Sequence, residues 1–179
     1  MYQIKLEKED FLRFLFFTAS KSKRMKTKRI RSWILTTLVF LSIGVIFSQK
    51  EDKFITYYFF ISAALCLFFY PFYYRWRYKR FYEKYIQENY KNRIGVINEV
   101  GFEDGFITSK DNFGEEKIKL TEIAFIYEIK DCLFIRIKNG ETIVIPSRIS
   151  DYTEFKNELA MVTKKIGIIW EIELDWKWR

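Results

Sequence analysis

The 179 residues are 49% hydrophobic and 20% aromatic, and none is histidine. That excludes a Ser-His-Asp triad, an imidazole metal ligand and a histidine proton shuttle. Two cysteines, Cys66 and Cys132, are too few for a disulfide framework or a zinc finger, and the net charge of +8 is unevenly spread: residues 1–93 hold 19 Lys/Arg against 7 Asp/Glu, residues 94–179 hold 12 against 16.

In chain order, residues 1–29 predict a strand and an amphipathic basic helix. Tyr2 to Leu6 alternates apolar and polar, a strand period, and Glu7 to Asp10 then starts a helix carrying Phe11, Leu12, Phe14, Leu15 and Phe16. That helix runs into a basic block and the first of two uncharged runs, which predict a two-helix transmembrane hairpin over 30–74. Trp33 to Ser48 gives roughly 24 Å of helix, approaching the bilayer core when extended over 30–48. Phe54 to Tyr74 gives about 31 Å. Gln49 to Lys53 forms a short loop whose charges cancel. Residues 75–93 predict a basic, aromatic juxtamembrane helix, an extension of the second span across the headgroup layer. The residues expected at the membrane interface are Lys21, Lys23, Arg24, Lys26, Lys28, Arg29, Arg31, Trp33, Tyr73, Tyr74, Arg75, Trp76, Arg77, Lys79 and Arg80. Twelve basic flank residues against two in the loop predict cytoplasmic termini in a multi-pass protein of the cell (inner) membrane. Basic blocks abutting apolar runs are juxtamembrane in character, so the bilayer is the expected partner and nucleic acid is not. Gly44 and the Ser62-Ala63-Ala64 stretch allow close helix approach, Pro71 suggests a kink, and the spans hold no Asp, Glu, Lys or Arg for an ion path.

Residues 94–179 read as short strands. Candidates are Ile94–Val100, Phe106–Ser109, Lys117–Leu120, Phe125–Ile129, Cys132–Lys138 and Glu141–Ile145, with turns at Glu103-Asp104-Gly105, Asp111-Asn112-Phe113-Gly114 and Asn139-Gly140, the last the strongest hairpin signal. A helix over 152–166 is expected to be capped by Asp151 with Glu154, to bury Phe155, Leu159, Val162 and Ile166, and to stop at Gly167. Ile169 to Trp178 alternates strictly and predicts a half-buried terminal strand. Both end strands, Tyr2–Leu6 and the Trp-rich one, must bury their apolar faces; they are expected to join the cytosolic sheet, a place side by side being one arrangement, and the bilayer surface is the rival place for the Trp-rich one.

Lys5-Leu-Glu-Lys-Glu-Asp-Phe11 resembles the strand-then-helix opening of YcxB-like membrane proteins, and Ile145-Pro-Ser-Arg-Ile-Ser-Asp-Tyr-Thr-Glu-Phe155 resembles their closing strand, Pro turn and helix. Gly105-Phe-Ile107 and Leu120-Thr-Glu-Ile123 also fit, and the resemblance covers nearly the whole chain. It implies an α+β membrane protein: a transmembrane helical hairpin plus a PH-like small β barrel or sheet, closed by a C-terminal helix. It carries over no catalytic residue and no ligand.

No residue pattern points to catalysis, a cofactor or a metal, and none is expected. Cys132 reads as a buried structural thiol and Cys66 as packing within the span. Glu115, Glu116, Glu122, Glu128 and Asp131 read as a solvated face, and Arg148 as a partner of the last helix cap or of lipid. Lys110 to Lys117 carries three acids against two bases, so the β domain is not expected to attract anionic lipid headgroups. The expected function is a membrane-anchored binding or scaffolding module with a protein partner; its alternative is an accessory subunit of a larger membrane complex working through the hairpin. Oligomeric state is left open by the sequence.

Overall fold

The computed structural model describes residues 1–49, 53–112 and 114–178. The expected loop charges at Lys50, Glu51 and Asp52, and Phe113 in the expected turn, lie outside the described residues. The chain forms two compact units, one of residues 1–15 and 84–178, the other of residues 16–83.

The first unit is built on two four-stranded sheets. One has the order β1-β2-β3-β4, from Tyr2–Lys5, Ile97–Glu103, Phe106–Asp111 and Gly114–Lys119, all antiparallel. The other has the order β7-β6-β5-β8, from Thr142–Pro146, Cys132–Ile137, Ile123–Glu128 and Ile169–Ile172. In it β8 runs parallel to β5 while the other pairs are antiparallel. Neither sheet closes into a barrel; β4 and β7 end their respective sheets. Both end strands of the chain do join sheets, but not side by side: Tyr2 pairs with Val100 in the first, Trp170 with Ile126 in the second.

Turn chemistry sets the hairpins. Asp104 (φ 46) and Gly105 (φ +83) form a two-residue turn with both centres left-handed, whose twist matches the flanking strands. The two-residue hairpin is therefore at Asp104-Gly105. At Asn139-Gly140 the loop is longer: Gly140 (φ +101) donates its N–H to Ile137 O at 3.0 Å, and Ile137 N–H is bonded to Glu141 O. A right-handed turn followed by a left-handed glycine accounts for that pattern.

Helix α4 (Tyr152–Lys164) covers the core through Phe155 and Leu159, both fully buried. The Phe155 ring meets Tyr2 edge-on at 5.3 Å and Phe102 at 5.2 Å. The expected cap differs: Asp151 has φ −105 and ψ 30 and its carboxylate makes no cap bond, because that turn conformation aims the side chain away from the first-turn N–H groups. The helix ends two residues early, where the N–H groups of Gly167 (φ +73) and Ile168 fold back on Thr163 O. That leaves Ile166 exposed, while Thr163, not in the expected stripe, is buried with its hydroxyl on Leu159 O.

Two strand readings also change. Phe134, on the opposite face of β6 from Leu133 and Ile135, is buried as they are. Phe14 of helix α1 (Lys8–Lys21) covers that face at 5.9 Å, so both faces of β6 are covered there. The Trp-rich end is a strand only to Ile172. One further bond runs from Glu173 N–H to Glu128 O, and beyond Glu128 strand β5 offers no partner, so the chain turns and Ile172 and Leu174 stay exposed.

The second unit holds most of two long helices, α2 (Lys23–Ser48) and α3 (Lys53–Asn89). Ser22, with extended ψ of 111, separates α1 from α2 and accepts the Met25 N–H on its hydroxyl. The basic segment after Tyr74 is no separate element: α3 passes through Pro71 and continues to Asn89.

Candidate membrane-facing helices and their basic stems

Both long helices are long and apolar enough to cross a membrane, and only 11% of the apolar window of α2 and 6% of that of α3 is buried. A core helix of a water-soluble domain would bury most of that window; here the apolar surfaces are left largely uncovered by the described residues.

The two helices pack on each other through small and hydroxyl residues. Gly44 and Ala63 are buried, and a Cβ on Gly44 would lie 3.2 Å from the Phe60 ring, so a larger residue there would press that ring outward. Thr37 Oγ1 donates to Trp33 O at 3.1 Å, and Cys66 Sγ lies 3.8 Å from it, a packing position for that thiol. Near the basic end, Tyr70 OH donates to Ser32 Oγ at 2.8 Å; near the other, the Phe47 and Phe59 rings stack at 6.1 Å.

The residues expected at the interface gather at one end of this pair. Lys21 closes α1, and Lys23, Arg24, Lys26, Lys28, Arg29 and Arg31 fall in the first turns of α2. All of these except Arg29 are exposed. The Arg29 guanidinium sits 5.7 Å from the Tyr74 ring centroid, joining the two stems by a cation–π contact. Tyr73, Arg75, Trp76, Arg77, Lys79 and Arg80 are exposed on α3, with Arg80 over the Trp76 ring at 4.6 Å; Trp33 and Tyr74 are half-buried. Cations and amphipathic rings in one belt beside an uncovered apolar surface match the chemistry of a bilayer interface.

The first unit contains an ionic cluster that the sequence did not foretell. Asp10 is fully buried, and Arg148 donates to both its oxygens, at 2.6 Å and 2.5 Å. Arg148 also donates to Lys5 O at 3.0 Å, and Glu7 N–H donates to Asp10 Oδ2 at 2.8 Å. Arg148 therefore clamps the start of α1 rather than the cap of α4. Glu128 is a second correction. It is buried rather than solvated: Oε1 accepts from Lys156 Nζ at 2.5 Å, and Oε2 is buried with no partner among the described residues. The only sequence signal for either pair is a charge beside an apolar run, which does not name its partner.

One thiol and two phenols of this unit favour their neutral forms. Burial, and then the Asp10 charge, pushes the Cys132 thiol up to about 12. Tyr2 is raised to about 12 by its hydrogen bond to Glu158, and Tyr152 to about 12 by burial and then Glu128. In each case the folded state holds a proton that the unfolded state releases at lower pH, so stability falls as pH rises from the ordinary value of 9.0 (thiol) or 10.0 (phenol) toward 12. Thermal unfolding of the detergent-solubilised chain between pH 7 and 11 is expected to show this decline, beginning at higher pH in Cys132→Ala. A flat profile to pH 11 would contradict it.

No family model, curated protein or solved structure matches the chain.

Proposed function

We propose that the chain is a YcxB-like protein of the bacterial inner membrane, a binding or scaffolding module with no catalytic step of its own. In this reading α2 and α3 form the membrane anchor, and the two-sheet unit is a PH-like cytosolic domain that binds a protein partner. The observation that carries the reading is the pairing of β1 with β2. The strand before the helix pair and the strand after it lie in one sheet, Tyr2 opposite Val100 and Lys5 opposite Ile97. Two membrane crossings return the chain to the side it left, as that sheet requires. The resembling stretches support the family assignment, because they fall on β1 with the start of α1 and on β7 with the start of α4. The orientation follows from the cation belt, which favours the cytoplasmic face.

Reporter fusions after Trp178 and within the Gln49–Lys53 loop test the topology. A cytoplasmic signal at the first and a periplasmic one at the second are expected; the reverse refutes the orientation. Exchange of residues 33–73 for an unrelated two-helix anchor tests the module reading. The exchanged chain should co-purify the same partners from the native membrane. Loss of all of them would assign the work to the hairpin, as in an accessory subunit of a membrane complex.

A further inference from the structure

We propose that the cleft between the two sheets is the site where that partner docks, and that it takes an extended basic–apolar segment of polypeptide. The proposal deepens the binding-module reading and rests on it.

The cleft has a volume of about 460 Å³ and lies wholly within the first unit. Ile4, Val100, Ile118 and Ile143 line it with apolar surface, and Phe11 and Phe14 add more from α1. Its charged groups are mostly acidic. Asp111, Glu116 and Glu141 bring three carboxylates, against the single guanidinium of Arg93. Glu116 and Glu141 are exposed, and Glu116 has no ion-pair partner among the described residues. Asn98 also lines the cleft, and its Oδ1 is buried with no donor among the described residues. Asp111 Oδ1 already accepts from Gly114 N–H and Glu141 Oε2 from Asn139 Nδ2, so it is the exposed Glu116 carboxylate and the bare Asn98 oxygen that call for a ligand that donates. Lysine and arginine donate without accepting, and their methylene stems suit apolar walls.

Main-chain geometry favours a peptide over a free amine. β4 and β7 end their sheets, so each presents one row of main-chain groups that no strand of its sheet pairs, and both strands border the cleft. An extended segment can add to such an edge, and β4 is exposed along most of its length. Glu116 and Ile118, two residues apart on β4, both face the cleft. A strand laid along β4 would place a cation opposite Glu116 and an apolar side chain two positions on, opposite Ile118.

The test uses the full chain in nanodiscs of zwitterionic phosphatidylcholine, which removes attraction to anionic lipid. The probe is a fluorescent, end-capped seven-residue peptide with Lys and Leu alternating between Thr spacers, read by anisotropy. Saturable binding is expected, weakened at least tenfold by Glu116→Gln with Glu141→Gln and weakened by raised salt. These side chains are exposed, so the variant keeps its fold, and an unchanged Tm confirms that. Ile118→Thr should weaken binding without changing its salt dependence. Equal binding of the peptide with Glu in place of Lys, or no effect of the Gln pair, overturns the proposal. Full displacement by equimolar spermidine also overturns it, assigning the cleft to small amines. Should no peptide bind while the anchor-exchanged chain keeps its partners, the cleft assignment falls and the module reading stands.

Discussion

Arg148→Met is expected to destabilise the two-sheet unit by about 3 kcal/mol. The loss comes from Asp10. Its carboxylate is wholly buried, and without Arg148 it keeps one main-chain donor, Glu7 N–H at 2.8 Å, the Cys132 thiol at 4.0 Å and the Arg13 guanidinium at 3.7 Å. A buried charge stripped of its partner costs roughly 3–5 kcal/mol. The lower end applies, because the Arg148 side chain is 40% exposed and water replaces part of its work. Roughly 10 °C or more should be lost from the Tm of a unit of this size. The double variant Asp10→Asn with Arg148→Met should recover part of that loss, since a neutral amide needs no counter-charge. A single variant with wild-type Tm, or a double variant no better than the sum of the singles, would show that the pair is not a clamp.

Phe155→Ala is expected to cost about 4 kcal/mol, within the range for a buried phenylalanine truncated to alanine. The ring is fully buried, and it joins three elements: its own helix, β1 through Tyr2 and β2 through Phe102. β1 has only four residues, so its hold depends on this contact and on the bond from Tyr2 OH to Glu158 at 2.7 Å. Amide exchange should therefore accelerate first at Tyr2–Lys5. Phe155→Leu keeps most of the volume and should cost about 1 kcal/mol. A drop of only a few degrees in Phe155→Ala, or protection of β1 left unchanged, would place the core elsewhere.

Elements with a strong local period were legible in the sequence. Tyr2–Lys5 reads as a strand because Ile4 and its neighbours alternate, and the two apolar helices read from the absence of charge over 33–48 and 54–74. That the Lys and Arg of 21–31 and 75–80 lie at one end of the helix pair follows from their place beside the apolar runs. What failed to read was set by partners distant in sequence. Nothing local to Asp10 or Arg148 shows that they meet, because the contact joins the start of α1 to the loop after β7. Phe134 breaks the alternation of β6 because a helix from the other end of the chain covers it. The Trp-rich end keeps its alternating pattern past Ile172, yet a strand lasts only as long as its neighbour, and β5 stops at Glu128.

The pairing of β1 with β2 also sets an order of synthesis. The ribosome releases Tyr2–Lys5 long before it makes β2 (Ile97–Glu103), the only strand that β1 pairs with among the described residues, and both apolar helices emerge in between. The nascent first strand must wait, with Ile4 open to water and to any other unpaired strand. Closing that contact in a free coil would mean closing a very long loop. The helix pair shortens the search, because the contact of Ser32 with Tyr70 returns the chain close to where it set out. The helix pair is thus complete before the sheet can be: a nascent chain stalled before Val100 would carry both helices and no folded domain.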